Sequence, residues 1–267
     1  MSASGHSRVA PPPRPSALPE EAADRPLTGY AHDYAQGHAT GRHRHDRAQL
    51  LYATQGVMRI ETDAAAFIVP PGRALWVPAR LPHGVTMQGT VAMRALFLRA
   101  DAAASRPAAT TVMAVSPLLR ELILAACAEP AEWDPAGRAP HVAALILDEI
   151  ARAPPLPWLG LPVLRDARLR RLAAALEADP GSDLTLERWA ERCGASPRTL
   201  TRLFRRETGM SFGRWRQALR LAEAAALLAQ GVPPARAAAA VGYASAPAFG
   251  AAFRAALGVT PGALAGG

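Results

Sequence analysis

The segment 186–264 repeats itself once, and this near-repeat constrains the fold more than any other feature of the chain. The second copy follows the first at an offset of 48 residues up to a glycine and 49 residues after it. In each copy a small residue precedes the glycine and two apolar residues follow it at i and i+4, which predicts a helix, a glycine turn and a second helix. The repeated positions are Ala190, Gly194, Ser196, Leu200 and Phe204, then Ala238, Gly242, Ser245, Phe249 and Phe253. The sequence therefore predicts two helix-turn-helix units.

Positive charge is concentrated around this repeat. All 30 basic residues of the chain are arginines. Residues 163–267 hold 15 arginines against 8 acidic residues, whereas residues 1–162 hold 15 against 14. A merely solvated basic face is the alternative explanation. Because the excess coincides with two helix-turn-helix units, the distribution favours a module that binds the phosphates of double-stranded DNA.

The second helix of the first unit carries the side chains best suited to DNA. We expect Ser196 to cap this helix and the first turns to reach base edges. The planar guanidinium fork of arginine matches both guanine and phosphate, so Arg198, Thr199 and Arg202 are interpreted as base readers. The second unit is poor in donors, and its arginine is either a phosphate contact or a solvated helix residue. The complete expected DNA-binding set is Ser196, Arg198, Thr199, Arg202, Arg205, Arg206, Ser245 and Arg254, with Arg205 and Arg206 as phosphate contacts.

The rest of the chain divides by composition. Residues 1–26 lack a continuous apolar run and are predicted to be a disordered tail. Residues 27–102 contain short β-like runs, among them Gln49–Thr54 and Gly56–Glu61, and residues 110–153 are expected to be helical, with Ser116 as a helix cap. The proline-rich stretch 154–164 is interpreted as a linker, and residues 165–267 as the DNA-binding domain.

The C-terminal part resembles the AraC/XylS family of transcriptional regulators over residues 166–264. The resemblance rests on the two units, on the long helix Phe212–Ala229 between them, on Gly242–Tyr243 and on the closing Gly258-Val-Thr-Pro261. In that family polar residues occupy the second recognition helix and Tyr-Arg follows the Thr-Pro. Here the helix reads Ala-Pro-Ala-Phe-Gly-Ala-Ala-Phe and the chain ends Gly-Ala-Leu-Ala-Gly-Gly, so the second unit offers few base readers.

The β-like part resembles the cupin barrel, a common partner of this DNA-binding domain. His43 and His45, then Gln49 and finally His83 stand at the spacings of the two cupin motifs. In cupins the corresponding residues converge on a metal, but a carboxylate usually stands where Gln49 does. The resemblance implies a divalent transition metal such as Zn, Ni or Fe, because three neutral imidazoles suffice for each. The alternatives are an unknown small-molecule effector in the same pocket, or histidines that are merely solvated near a strand end.

These features predict an α+β protein, in which an N-terminal cupin-like β-barrel is followed by an all-α domain with two helix-turn-helix units joined by a long helix. The expected function is sequence-specific regulation of transcription at a DNA operator, modulated by a metal or small molecule in the barrel. A metal-dependent cupin enzyme fused to a DNA-binding domain is the alternative, but the barrel lacks an evident general base.

The helices of 110–153 either form a homodimer or pack on the barrel. No apolar run approaches the roughly 18–20 residues needed to cross a bilayer, and the two cysteines form no disulfide framework, so a cytoplasmic location is expected.

Overall fold

The computed structural model describes residues 18–104, 108–154, 156 and 160–265. A β domain comes first and a helical domain follows, which confirms the predicted α+β class. The β domain consists of α1 (Pro19–Ala22), β1 (Leu27–Tyr34), β2 (Ala48–Thr62), β3 (Ala65–Val69), β4 (Arg73–Val77), β5 (His83–Leu98), α2 (Ala100–Ala103), β6 (Thr111–Ala114), α3 (Pro117–Ala128), α4 (Ala139–Arg152) and β7 (Gly160–Pro162). The helical domain consists of α5 (Ala167–Ala178), α6 (Leu186–Cys193), α7 (Pro197–Thr208), α8 (Phe212–Ala229), α9 (Pro234–Ala240), α10 (Ala246–Leu257) and α11 (Pro261–Ala265).

The strands described above form one antiparallel sheet around the long pair β2 and β5. Its order is β1-β5-β2-β3-β7, with β4 on the first half of β2 and β6 on β4. The register shifts between Ala53 and Val57, and at Gly56 a φ of 75° marks the irregularity. A Cβ at Gly56 would lie 2.3 Å from the carbonyl oxygen of Thr90. The two separate strands expected at 49–54 and 56–61 are therefore one strand with a bulge, because glycine here bends the strand and does not end it.

Helices α3 and α4 cover one face of this sheet. Trp76 and Leu96 from the sheet pack with Ile123 and Ile146 from the helices in one buried cluster. The Ser116 hydroxyl accepts a hydrogen bond from the backbone N–H of Leu119 at 3.0 Å, so the predicted cap of α3 is confirmed. Packing on the sheet therefore accounts for the inner face of this helix pair.

The helical domain has two cores. The first unit buries Trp189, Leu200 and Phe204 together with the start of α8. The second unit, with the rest of α8, shares a continuous apolar core with the β domain. Contact there is close, since a Cβ at Gly89, in the β5 segment, would lie 2.3 Å from the carbonyl oxygen of Ala229 at the end of α8. Within the described residues, none of the helices combines the length and apolarity needed to span a bilayer.

Three of the predicted boundaries need correction. Residues 1–17 of the expected tail lie outside the described residues, but Pro19–Ala22 form a helix, and Arg47 holds this segment by donating to the carbonyls of Glu21, Ala23 and Arg25. In the expected linker, Gly160–Pro162 pair with β3 and so belong to the sheet. The segment 110–153 likewise begins with a strand, β6, before its helices. All three differences involve partners that are distant in sequence.

Candidate functional site

The first helix-turn-helix unit is built by local signals. Thr185 and Ser196 cap α6 and α7 through their side chains, as predicted. Gly194 ends α6 in the left-handed region with a φ of 64°, which favours glycine because it has no Cβ. On α7 the buried side chains are Leu200, Leu203 and Phe204. The opposite side of α7 is therefore free for a partner.

The exposed side of α7 is a row of arginines. Arg198, Arg202, Arg205 and Arg206 are all exposed, and their spacing places them along one side of the helix. Arg206 pairs with Glu207 at 3.3 Å, whereas no ion pair within the described part of the chain engages the other three. Three unpaired guanidinium groups on one exposed helix face make a surface suited to a polyanion.

Two members of the predicted DNA-binding set, Ser196 and Thr199, are engaged in capping. The hydroxyl of Ser196 accepts from the backbone N–H of Thr199 at 3.1 Å and lies 2.9 Å from the Thr199 hydroxyl. The two hydroxyls therefore hydrogen-bond at the N-terminus of α7. Ser245 has the same role in the second unit, where it accepts from the backbone N–H of Ala248 at 3.3 Å.

The second helix-turn-helix unit presents a different surface. The exposed positions of α10 are small and apolar except for Arg254, which lies in the last turn and has no ion pair in the described part of the chain. Phe249 and Phe253 are buried beneath it. The exposed face of this unit therefore has a smooth apolar surface and one positive charge, but few side chains that can donate hydrogen bonds.

Arg220 of α8 ties the two units together, and the sequence interpretation missed it. Its guanidinium donates to the carbonyls of Pro180 and Ser182, both at 2.9 Å, and to that of Gly181 at 3.3 Å, all before α6. It also donates to the carbonyl of Gly242, in the turn of the second unit, at 3.4 Å. One side chain on the helix between the two units therefore contacts both the segment before α6 and the turn of the second unit.

The three histidines of the cupin-like motifs meet in the β domain. The ligand atoms of His43, His45 and His83 all lie within 4.8 Å of one another. His43 and His45 lie outside the regular strands, and His43 forms an isolated bridge with His83 at the start of β5. Gln49 lies on β2, and its side-chain oxygen is 3.1 Å from Nε2 of His83. All four predicted residues are thus in one place.

Hydrogen bonds select the same tautomer in His43 and His83. Nδ1 of His43 lies 2.9 Å from the Gly41 carbonyl, and Nδ1 of His83 lies 2.9 Å from that of Leu81. Since a carbonyl can only accept, each Nδ1 carries the proton, and in the neutral ring each Nε2 has a lone pair. The Gln49 amide then donates its NH2 group to His83 after a rotation of its plane.

In His45 a carboxylate, and not a carbonyl, accepts from Nδ1. Its Nδ1 lies 2.8 Å from Oε1 of Glu21, on α1, while its Nε2 is buried without a hydrogen-bond partner. A buried imidazole nitrogen with no partner is unusual, because an unmade hydrogen bond costs about 1–3 kcal/mol. The arrangement leaves a lone pair ready for a ligand.

Burial favours the neutral form of His43 and His83. Desolvation is the main effect that lowers the pKa of His83, to about 4, and it also lowers the pKa of His43. His45 and His83 are only 4% and 1% exposed. Neutral imidazole is the form that binds metals, so His43 and His83 are available as ligands near pH 7.

The cavity beside the histidines is small. Its volume is about 40 Å³, and Tyr30, Tyr34 and Leu18 line it together with His43 and His45. The two tyrosine hydroxyls lie 3.2 Å apart, and burial raises the pKa of both, so both stay protonated. A water molecule occupies about 30 Å³ in the liquid, whereas organic ligand pockets usually have at least about 300 Å³. The cavity therefore suits an ion with one small co-ligand better than an organic effector.

Glu21 is the member of the site that the sequence interpretation missed. It lies in the segment interpreted as a disordered tail. The signal was nevertheless present, since Pro19 followed by Glu20 and Glu21 is typical of the first turn of a helix.

Comparisons with known proteins find a matching family model for each of the two domains. A model described as AraC-like ligand binding domain matches residues 28–187, and a model described as Helix-turn-helix domain matches residues 189–266. The chain is 31% identical over 220 residues to the HTH-type transcriptional regulator NimR of Escherichia coli, covering 82% of this chain and 80% of that protein. It is 38% identical over 122 residues to the HTH-type transcriptional regulator RipA of Corynebacterium glutamicum, covering 46% of this chain and 34% of that protein.

Solved structures also show similarity to this chain. The C-terminal domain of AraT, a response regulator from Geobacillus stearothermophilus, is 34% identical to this chain, with a TM-score of 0.35. The match covers 38% of this chain and 84% of that structure.

Proposed function

The chain belongs to the AraC family of transcriptional regulators, and on that premise we propose that its β domain is a metal sensor that controls how the helical domain binds an operator. The family assignment makes the protein a DNA-binding transcription regulator with an N-terminal ligand-binding domain. Its relatives are named as regulators, and the alternative of a cupin enzyme has no support. The expected site of action is the cytoplasm, where a bacterial regulator meets chromosomal DNA.

The two units are proposed to read adjacent parts of the operator in unequal ways. Because α7 presents Arg198 and Arg202 near its start, we assign it the base-specific contacts. Arg205 and Arg206 lie further along and are assigned to phosphate. Arg254 on α10 is assigned to phosphate as well, since its neighbours are too small to donate hydrogen bonds.

The effector is proposed to be a transition-metal ion held by His43, His45 and His83. The observation that carries this proposal is the unpartnered Nε2 of His45, buried beside two further imidazoles with the same tautomer. Zn, Ni and Fe all accept imidazole ligands. A bound ion would displace the Gln49 amide from Nε2 of His83, and the amide oxygen could then act as a weak fourth ligand. The small cavity favours this reading over an organic effector.

A homodimer through α3 and α4 is a further part of the proposal. Leu118 on α3 and Leu145 on α4 are 52% and 48% exposed and are among the few large apolar side chains so exposed in the described residues. The inner faces of both helices are already packed on the sheet. An outward apolar face on the same helix pair favours a second copy of the chain, because exposed apolar patches mark interaction surfaces.

The test is selection of bound DNA from a random pool, carried out with the zinc-loaded protein and with the EDTA-treated protein. We expect a defined sequence in at least one condition and an affinity for the selected DNA that changes when zinc is removed. His83→Ala provides the matched control, since its affinity should not respond to zinc. Equal affinities of the wild type in both conditions would refute the sensor, and the absence of any enriched sequence would refute sequence-specific binding.

A further inference from the structure

The two recognition helices, α7 and α10, correspond residue by residue. Both have 12 residues, and each is capped by a serine and ends at a glycine in the left-handed region. The capping residues Ser196 and Ser245 and the closing residues Gly209 and Gly258 are separated by the same offset of 49 positions. Each residue of α10 therefore occupies the same turn and the same face of its helix as the residue 49 positions earlier in α7.

This correspondence shows what replaces each DNA-contacting side chain of the first unit. The phosphate contact is kept, because Arg254 stands where α7 has Arg205. The assigned base readers are replaced by small apolar residues, with Pro247, Ala248 and Ala251 standing for Arg198, Thr199 and Arg202. All three replacements are exposed. This reading face of α10 therefore keeps its positive charge but has methyl groups where α7 has hydrogen-bond donors.

The major groove of DNA contains a group that matches such a face. Thymine presents its C5-methyl group there, and alanine is among the side chains that contact it. Cytosine presents an amino donor, and the purines present acceptors at N7. An alanine methyl group can pair with none of these, so it leaves them without a partner and deprived of water, which costs binding free energy. A face of small apolar side chains therefore discriminates in favour of thymine.

We propose that α10 selects thymine in the operator, with the methyl groups of Ala248 and Ala251 packed on the C5-methyl groups of thymines and Arg254 on a neighbouring phosphate. The inference rests on the proposed contact of both units with the operator, and it goes further by giving α10 a sequence preference. Because the side chains on this face are short, the helix can lie close to the base edges. The second unit thus reads bases by apolar contact alone, whereas the first unit reads them by hydrogen bonds.

The test removes the methyl group from the DNA and leaves the protein unchanged. An operator is selected from a random pool with the full chain, and each of its thymines is then replaced singly by uracil, which lacks only the C5-methyl group. We expect a penalty at one or two thymines in the groove segment whose base preference Arg202→Ala leaves intact. Each of these replacements should weaken binding about fourfold, the equivalent of one buried CH2 group.

Two variants tie this penalty to α10. In Ala251→Gly, which removes the alanine methyl group, the uracil penalty at one of these thymines should fall below about twofold. Each penalty compares two DNAs bound to the same protein, so a general loss of helix stability cancels. Ala255→Gly is the matched control, because it makes the same exchange at an exposed position one turn further along α10. It should keep the full penalty.

Two results would overturn the inference. One is a selected operator in which no uracil outside the segment read by α7 weakens binding. The other is a uracil penalty that both Ala248→Gly and Ala251→Gly leave unchanged, which would place the effect of the methyl group in the shape of the DNA itself. A pool without any enriched sequence would refute the proposed sequence-specific function and this inference with it, so the two failures are distinguishable.

Discussion

Oε1 of Glu21 lies 2.8 Å from Nδ1 of His45, and the two residues are 24 positions apart in the chain. The carboxylate fixes the imidazole as the Nδ1–H tautomer and directs the Nε2 lone pair into the histidine cluster. Metal-binding histidines in proteins almost always donate their second N–H to a carboxylate, a carbonyl or water, which raises their basicity. Glu21 also supplies negative charge near a site whose fourth position is the neutral Gln49.

Glu21→Gln should therefore weaken zinc binding. Loss of such a partner typically costs about 10–100-fold in metal affinity. Zinc titration against a competing chelator measures the effect. Glu20→Gln, one residue away on α1, is the matched control and should bind zinc like the wild type. Equal affinities of the Glu21 and Glu20 variants would show that the carboxylate does not act through His45.

The division of labour between the recognition helices predicts two kinds of DNA-binding defect. Arg202→Ala should cost about 1–3 kcal/mol of binding free energy and relax the preference at one base pair. Arg254→Ala should weaken binding evenly across sequences and reduce the salt dependence by about one counterion. Affinities on single-base operator variants at several salt concentrations measure both effects. A base preference altered by Arg254→Ala alone would contradict the assignment.

Because Arg220 hydrogen-bonds to backbone carbonyls and not to carboxylates, its removal should lower the stability of the fold. Arg220→Ala removes a donor to four backbone carbonyls and should lower the free energy of unfolding by about 2 kcal/mol. Arg205→Ala, at an exposed position of α7, should change it by less than about 0.5 kcal/mol. Urea unfolding followed by circular dichroism compares the two variants. Equal stabilities would mean that Arg220 does not hold the two units together.

Local signals carried most of the correct sequence predictions. The Ser196 cap, the Gly194 turn and the buried positions of α7 depend on neighbours in the chain, and propensity and spacing describe such features well. The Arg220 contacts and the Glu21–His45 hydrogen bond join residues some 20 to 40 positions apart, and no local pattern marks them. For the same reason the sequence predicts two runs, 49–54 and 56–61, where the structure has one strand. Only the paired β5 strand shows that Gly56 bends β2.

The environment of Cys127 predicts low reactivity. Burial raises the pKa of this thiol to about 12, so the thiolate fraction near pH 8 is on the order of 10⁻⁴. The native protein should therefore resist alkylation by iodoacetamide at Cys127 between pH 7 and 9, and the unfolded protein should react fully. Peptide mass spectrometry after timed alkylation measures this. Rapid alkylation of the native thiol would show that it is not buried as described.

The metal content of the sensor tests the central claim most directly. Protein stripped with EDTA is titrated with zinc by calorimetry, and its metal content is then determined by elemental analysis. The account predicts about one tightly bound zinc ion per chain in the wild type, tighter binding in Gln49→Glu because a carboxylate adds charge, and no tight binding in His83→Ala. A wild type that takes up no zinc, nickel or iron(II) above background would contradict the account.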